Sequence, residues 1–272
     1  DFAAHGDRAV QVSNDPARGC AAPTPASAPQ CYAPFLSSNL AVTRDNIRQT
    51  NLDLQRLLKA AAACGTDQCG TLQVDPARVG YMGISLGGIM GSMVTAMSDD
   101  SDAAVLNVPG AGLVDIIENT ATLAIRCSLV DSLIDAGVVV GDKWNPGANT
   151  GICLTDDWKT QPGYRAFATV ARWVLDPADP ANFAPTLANR HFLLQMVTDD
   201  LVVPNIATNQ LGGIAGLSIV PAAVATGAAV PPPPSNEITS APGDNHWLEY
   251  TTLPADAGSG FPGNTYQHAS LL

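Results

Sequence analysis

The chain has 272 residues, of which 46% are apolar, and its formal net charge is −12. Because proteins bind phosphate backbones through clustered Lys and Arg, a chain with 13 such residues against 25 Asp and Glu argues against a nucleic-acid partner. No run of eighteen or more apolar residues occurs, so we expect no membrane-spanning helix.

The first part of the chain is expected to contain loops and one long helix. Residues 1–6 are typical of the end of a strand that enters a loop, and residues 15–38 are rich in Pro, Ala, Ser and Cys, which predicts an ordered loop. A helix is predicted over 43–63 because apolar residues recur on one face. Thr43 is a suitable N-cap, and Asp45 lies in the first turn, where the helix dipole favours negative charge.

The remainder of the chain alternates predicted strands and helices. The predicted elements are a strand at 78–83, a helix at 86–98, strands at 103–108 and 191–197, a helix at 205–217, a Pro- and Ala-rich connection at 221–243 and a last strand at 247–253. Strands that alternate with helices predict the α/β class, with a mostly parallel sheet and helices on both faces.

The stretch 110–187 has a different character, with helical patterns separated by Asp, Pro and Gly turns. It is predicted to be a helical cap inserted between core strands. Residues 1–109 and 188–272 then form the core. The first strands of that core are expected to lie upstream of residue 1, because the chain is predicted to begin partway through the sheet.

Six cysteines occur in locally clustered pairs, and none forms a C-x-x-C motif, so a structural zinc site has little support. An even number of clustered cysteines predicts disulfides formed in an oxidising compartment, and therefore a secreted, periplasmic or cell-surface protein. Six reduced, buried thiols are the alternative. Fifteen connectivities are available to six cysteines, and pairing between neighbours is our prediction: Cys20–Cys31, Cys64–Cys69 and Cys127–Cys153.

The strongest motif is Gly83-Ile84-Ser85-Leu86-Gly87, which follows a predicted strand and opens a predicted helix. In this setting a G-x-S-x-G sequence forms a sharp turn that projects the serine hydroxyl above the sheet edge. Side chains at 83 and 87 are expected to clash with neighbouring segments, so both positions require glycine. The Leu86 N–H, at the helix N-terminus, is then a donor to an oxyanion. The alternative is a glycine-rich turn with an ordinary serine.

A serine hydroxyl becomes a good nucleophile when a histidine takes its proton and a carboxylate orients that histidine. In strand–turn–helix sites of this type the chain order is Ser, acid, His, and the acid follows a buried strand. Asp200 follows the apolar run 191–197 and is our candidate, with Asp199 as the neighbour that could replace it. The alternative is that Asp199 and Asp200 only cap a loop and have no catalytic role.

Several segments of the chain together resemble bacterial extracellular lipases of the α/β-hydrolase superfamily, the virulence-factor lipase group. These segments are Arg-Asp-Asn-Ile-Arg-Gln at 44–49, Gly-Ile-Ser-Leu-Gly-Gly at 83–88, Trp-Val-Leu-Asp-Pro-Ala-Asp-Pro-Ala-Asn at 173–182, Asp-Leu-Val-Val-Pro-Asn at 200–205 and His-Ala-Ser-Leu-Leu at 268–272. The resemblance implies an α/β-hydrolase fold, carboxylic ester hydrolysis, a lid over the site and secretion or surface display. Some enzymes of this broad type also cleave polyesters. It further implies a second oxyanion donor, from a loop that would precede residue 1.

Four histidines are candidates for the base. His5 and His191 precede the acid in the chain, against the expected order. His246 lies at the start of the last predicted strand, whereas active sites of parallel sheets gather at the carboxyl ends. His268 follows that strand and belongs to the segment that resembles the lipase group. We therefore predict His268, with His246 as the alternative.

These residues predict a serine esterase or lipase that acts through an acyl-enzyme on a small-molecule or lipid ester. No cofactor or metal is expected, because the triad needs neither. A serine peptidase of the same fold and a hydrolase-like binding module without catalysis are the two alternatives. Six apolar residues of the cap are expected to line an acyl or alcohol pocket, or else to form only the core of the cap: Leu113, Ile116, Ile117, Phe167, Val170 and Trp173.

Overall fold

The computed structural model describes residues 1–37, 39–64, 70, 75, 78–217, 219–223 and 245–252. Within them lies one five-stranded parallel sheet with the strand order β1-β2-β3-β5-β4. The strands are β1 (Gly80–Ile84), β2 (Ala103–Asn107), β3 (Phe192–Val197), β4 (Ile219–Ala223) and β5 (His246–Thr252). The α-helices in the described ranges are α1 (Leu40–Ala62), α2 (Leu86–Met97), α3 (Leu113–Asn119), α4 (Leu123–Asp135), α5 (Asp157–Thr160), α6 (Pro162–Leu175), α7 (Ala184–Leu187) and α8 (Asn205–Ile214).

The sheet buries one face against helices. Side chains alternate along each strand, so Leu106 of β2 and Leu194 of β3 point to the same face. They pack there with Trp247 of β5 and with residues of α2 and α8 in one core cluster. Met82, on the opposite face of β1, is 62% exposed. The parallel sheet, its helical connections and the β1–α2 turn confirm the predicted α/β-hydrolase fold class.

Helix α1 begins three residues earlier than predicted, and its N-cap is Asn39 rather than Thr43. The Asn39 side chain accepts a hydrogen bond from the Ala41 N–H at 3.2 Å. Thr43 instead lies inside the helix, where its hydroxyl donates to the Ser37 carbonyl and accepts from the Ser37 N–H. The Thr43 hydroxyl is therefore engaged with the preceding loop and does not cap the helix.

Two other predictions of local structure were wrong. Residues 1–6 contain no strand; a turn leads into a short 3-10 helix, Gly6–Arg8. Part of the predicted 221–243 connection forms β4, which pairs in parallel with β5. Pro221 is compatible with this strand because β4 lies at the edge of the sheet, where a missing N–H costs least. Residues 224–243 of that connection lie outside the described residues.

The helical region 113–187 is built around Trp158 and Tyr164, which are both buried and pack edge to face. This cluster is continuous with Met90 and Met93 of α2, so the region shares its core with the helix that follows Ser85. The Tyr164 hydroxyl donates to Glu118 at 2.7 Å, and Glu118 also accepts from Arg172. Burial and the Glu118 carboxylate raise the pKa of Tyr164.

Two of the three predicted disulfides are confirmed. Cys20–Cys31 closes the N-terminal loop with a Cα–Cα distance of 5.8 Å, and Cys127–Cys153 joins α4 to the segment before α5 with a distance of 5.1 Å. The third predicted pair includes Cys69, which lies outside the described residues. None of the helices in the described ranges is both long and apolar enough to cross a membrane.

Candidate active site

Ser85 occupies a strained turn between β1 and α2. Its backbone has φ 55° and ψ −122°, a conformation that residues with a side chain rarely adopt. Two backbone hydrogen bonds hold it there, since the Ser85 N–H donates to the Asn107 carbonyl and the Ser85 carbonyl accepts from the Ile89 N–H, both at 2.9 Å. Strain of this kind persists only where the surrounding structure imposes it, and it concentrates at functional sites.

The turn requires glycine at 83 and 88, and not at 83 and 87 as the motif suggested. A Cβ on Gly83 would collide with the backbone of Gly87. A Cβ on Gly88 would lie 2.9 Å from the Asn107 carbonyl oxygen, whereas a Cβ on Gly87 would meet nothing within 4 Å. The prediction for Gly87 was therefore wrong, because position 87 faces away from the neighbouring strand while position 88 faces β2.

Tyr81 supports the turn and was not singled out by the sequence. Its hydroxyl donates to the Gly87 carbonyl at 2.7 Å, so the side chain of β1 reaches forward to the first turn of α2. Burial raises the pKa of Tyr81 to about 12. The ring also fills the space beside Gly91, where a Cβ would collide with it.

The Leu86 N–H is the first N–H of α2 and lies directly after Ser85. The first four N–H groups of a helix have no acceptor one turn earlier within that helix, and they lie at its positive end. The Leu86 N–H therefore lies beside Ser85 as a backbone donor of the type that can bind an oxyanion. Within the described residues, no group of three His, Cys, Asp or Glu side chains is arranged to hold a metal ion.

The two candidate acids follow β3 and differ sharply in environment. Asp200 is 5% exposed, and its Oδ1 accepts hydrogen bonds from the N–H groups of Val202 and Val203 at 2.8 and 3.1 Å. Asp199 is exposed and has a positive φ of 58°. The Asp200 N–H donates to the Asn205 side chain. Asp200 is thus anchored at the carboxyl edge of the sheet, which is also the edge where Ser85 follows β1.

Histidines in the described residues lie away from this edge. His246 is the first residue of β5 and pairs with Leu193, at the amino end of the parallel strands. His191 precedes β3 at the same end, and its carbonyl accepts from the Ala104 N–H. His5 lies in the N-terminal turn, where it is exposed. His268, the predicted base, lies outside the described residues.

The loop after β2 packs against the serine turn, where Pro109 lies next to Gly88. The sequence analysis did not identify this loop as part of the site. Val108 is completely buried and has a φ of 43°, which is strained for a β-branched residue. Hydrogen bonds hold the loop at several points: the Val108 N–H donates to the Gln195 carbonyl, and the Thr208 hydroxyl donates to the Pro109 carbonyl at 2.6 Å. These contacts join segments that are far apart in the chain, so they become visible only once β1, β2 and β3 are paired in the sheet.

The six cap residues predicted to line a pocket do not share one environment. Leu113 is buried in the cluster of the helical region, with Ile116 and Phe167 partly buried against it. Ile117 is also half-buried. Val170 and Trp173 are 52% and 76% exposed on the outer side of α6. Three of the six residues therefore contribute to the packing of this region, and two face solvent.

No protein-family model matches the chain, and no curated protein does. Solved structures similar to it include an acylaminoacyl peptidase from Pyrococcus horikoshii (12% identity, TM-score 0.39, 75% of this chain and 23% of that chain) and acetyl xylan esterase 1 from Thermoanaerobacterium sp. (15% identity, TM-score 0.40, 82% and 53%). A puromycin hydrolase is a third (15% identity, TM-score 0.41, 82% and 24%). The chain spans between 23% and 53% of the length of these proteins. Similarity at this level says nothing about activity.

Proposed function

We propose that the chain is a serine hydrolase that cleaves carboxylic esters through an acyl-enzyme. The observation that carries the proposal is the backbone of Ser85, held at φ 55° between a parallel strand and a helix N-terminus. A serine that merely ended a strand would not need this strain. At the carboxyl edge of an α/β sheet, the turn presents the hydroxyl where substrates bind.

The chemistry follows from these positions. The Ser85 hydroxyl oxygen attacks the ester carbonyl carbon while the base takes its proton, and the negative charge that develops on the carbonyl oxygen is stabilised by the Leu86 N–H. Collapse of this intermediate expels the alcohol, which receives the proton from the base. Water then attacks the acyl-serine in the same way, releasing the carboxylic acid and restoring the Ser85 hydroxyl.

We assign the acid to Asp200 and the base to His268. Burial and two backbone hydrogen bonds fix the Asp200 carboxylate, as orienting a histidine requires, whereas Asp199 is exposed. His268 follows β5 in the chain, and the amino-end position of His246 supports this choice. The order Ser85, Asp200, His268 is the one expected for this type of site.

Residues 110–187 are the proposed cap over the site, and an extracellular lipase of the virulence-factor group is the proposed type of enzyme. The two disulfides support an oxidising compartment and hence secretion or surface display. Apolar acyl esters are the proposed substrates, with polyesters as a further substrate class to assay.

The nucleophile is tested by Ser85→Ala, with Ser128→Ala on the exposed side of α4 as the matched control. Both variants are assayed with a p-nitrophenyl ester series and with a fluorophosphonate probe that labels activated serines. We expect Ser85→Ala to lose about 10⁶-fold in turnover and all labelling, and Ser128→Ala to lose neither. More than a few per cent residual activity in Ser85→Ala would contradict the assignment.

The acid and the base are tested by two matched pairs. Asp200→Asn keeps the oxygen that accepts from Val202 and Val203, so it should fold and yet lose about 10⁴-fold in kcat, while Asp199→Asn stays near wild type. His268→Ala should lose several orders of magnitude and His246→Ala only modestly. Loss of activity in His246→Ala would instead assign the base to His246. A peptide anilide hydrolysed faster than any ester would instead favour the peptidase.

A further inference from the structure

The loop that carries Asp200 is tied to the helical region by Thr120, which lies between α3 and α4. Thr120 is completely buried, and its hydroxyl donates to the Leu201 carbonyl at 3.2 Å. The Ala121 N–H donates to the same carbonyl at 2.8 Å. Thr120 and Leu201 are 81 positions apart in the chain, so the contact joins the proposed cap to the loop after β3.

A single peptide unit connects this contact to the acid. The Leu201 carbonyl and the Val202 N–H belong to the same planar, trans peptide, so they point in opposite directions. The carbonyl accepts from Thr120 and Ala121, and the N–H donates to the Asp200 Oδ1 at 2.8 Å. Fixing the carbonyl therefore fixes the direction of the N–H that holds the carboxylate. Hydrogen bonds in such a chain also polarise one another, which strengthens the bond to the carboxylate.

Thr120 is itself held by both neighbouring helices. Its N–H donates to the Ile116 carbonyl at 2.8 Å, which closes the last turn of α3. Its hydroxyl accepts from the N–H of Thr122, the N-cap of α4, at 3.2 Å. Because the hydroxyl acts as both donor and acceptor in this corner, its direction is fixed, and it is a firm anchor for the Leu201 carbonyl.

We propose that Thr120 is a positioning residue for the Asp200 carboxylate and acts through the Leu201–Val202 peptide. The Val202 and Val203 N–H groups that bind the carboxylate belong to the loop itself, whereas the Thr120 hydroxyl is a side-chain anchor from outside that loop. This inference rests on the proposed function, in which Asp200 is the acid. A threonine with a purely structural role would stabilise the corner between α3 and α4 and leave turnover unchanged.

The test compares Thr120→Val, which keeps the shape and removes the hydroxyl, with Thr120→Ser, which keeps the hydroxyl. The matched control is Thr43→Val, because Thr43 in α1 is also buried and its hydroxyl also donates to a backbone carbonyl and accepts from a backbone N–H, both of Ser37. Each purified protein is first checked by circular dichroism and thermal melting, and kcat and KM are then measured with a p-nitrophenyl ester. If Thr120→Val does not fold, Thr120→Ala takes its place, since alanine removes the hydroxyl without adding a methyl group.

Both valine variants leave buried backbone groups without their hydroxyl partner, so both should melt about 2–6 °C below wild type. Thr120→Val should also reduce kcat by about tenfold with KM within about twofold, because a shift of the carboxylate by a few tenths of an ångström weakens its orienting role in the transition state. Thr120→Ser should restore kcat to within about threefold of wild type, and Thr43→Val should keep the wild-type kcat.

Action through Asp200 is tested by repeating the substitution in an Asp200→Asn background. Residues that act as a unit show non-additive effects, so once the carboxylate is lost, removal of the residue that positions it has little left to change. Thr120→Val should therefore cost less than about twofold in kcat there, against about tenfold in the wild-type background. The residual rates are measured above that of Ser85→Ala, which defines the uncatalysed background.

A kcat of Thr120→Val within about twofold of wild type, together with a lower melting temperature, would show a purely structural role and overturn this proposal. A Thr120→Ser variant as impaired as Thr120→Val would overturn it too, and so would a loss of about tenfold that persists in the Asp200→Asn background. Wild-type protein that neither hydrolyses esters nor reacts with the fluorophosphonate, or an Asp200→Asn variant with full activity, would instead overturn the proposed function. The two failures are therefore distinguishable.

Discussion

Replacing Gly88 with Ala tests whether the serine turn is held by its contact with β2. The added Cβ would lie 2.9 Å from the Asn107 carbonyl oxygen and 3.1 Å from the Pro109 Cβ. Both distances are shorter than van der Waals contact, and the nearer atom belongs to the backbone, which no side-chain rotation can move. Because that same oxygen accepts the Ser85 N–H, relief of the clash has to displace Ser85 from β2.

Overpacking by one methyl group at a rigid site costs about 1–3 kcal/mol. For a chain of this length each kcal/mol lowers the melting temperature by roughly 2 °C, so Gly88→Ala should melt about 2–6 °C below wild type. Displacement of Ser85 by a few tenths of an ångström should also reduce kcat/KM, by roughly tenfold. Gly87→Ala is the matched control: its Cβ meets open space, and alanine favours the helix by up to about 1 kcal/mol.

Differential scanning calorimetry and ester hydrolysis are measured for wild type, Gly87→Ala and Gly88→Ala under identical conditions. Gly87→Ala should melt at or slightly above the wild-type temperature and keep its activity. Equal melting temperatures and equal kcat/KM for the two variants would refute the reasoning, since both glycines belong to the same turn and only their contacts differ.

Two further predictions concern the disulfide of the helical region and the tyrosine under the turn. Replacing Cys127 and Cys153 by Ala removes a link across a separation of 26 residues, which should cost about 3.5 kcal/mol of stability. The melting temperature in calorimetry should therefore fall by roughly 7 °C, and an unchanged melting temperature would contradict this. The pKa of Tyr81 is raised from 10.0 to about 12, so the stability that its buried neutral form contributes is present below pH 10 and lost as the pH rises toward 12. Urea unfolding at several pH values should therefore show a weaker loss over this window in Tyr81→Phe than in wild type, and parallel curves would exclude the effect.

Features that depend on short stretches of chain could be predicted from the sequence. The serine turn, the strand before it and the helix after it follow from local glycine spacing and apolar pattern, and β3 follows from one continuous apolar run. The Cys20–Cys31 and Cys127–Cys153 pairs were also predictable, because the partners are near one another in the chain. In each case the residues that decide the structure are neighbours in sequence.

Features that depend on distant segments required the tertiary structure. The local motif treats Gly83 and Gly87 as equivalent partners, and only the approach of β2 shows that Gly88 is the second glycine under steric constraint. Asp199 and Asp200 are identical as residues, and only the loop around them makes one exposed and the other buried. Asn107 is 22 positions from Ser85 in the chain (107 − 85) and bonded to it in space. Contacts between distant segments depend on how the strands pair in the sheet. The residue pattern of a single segment therefore cannot predict them.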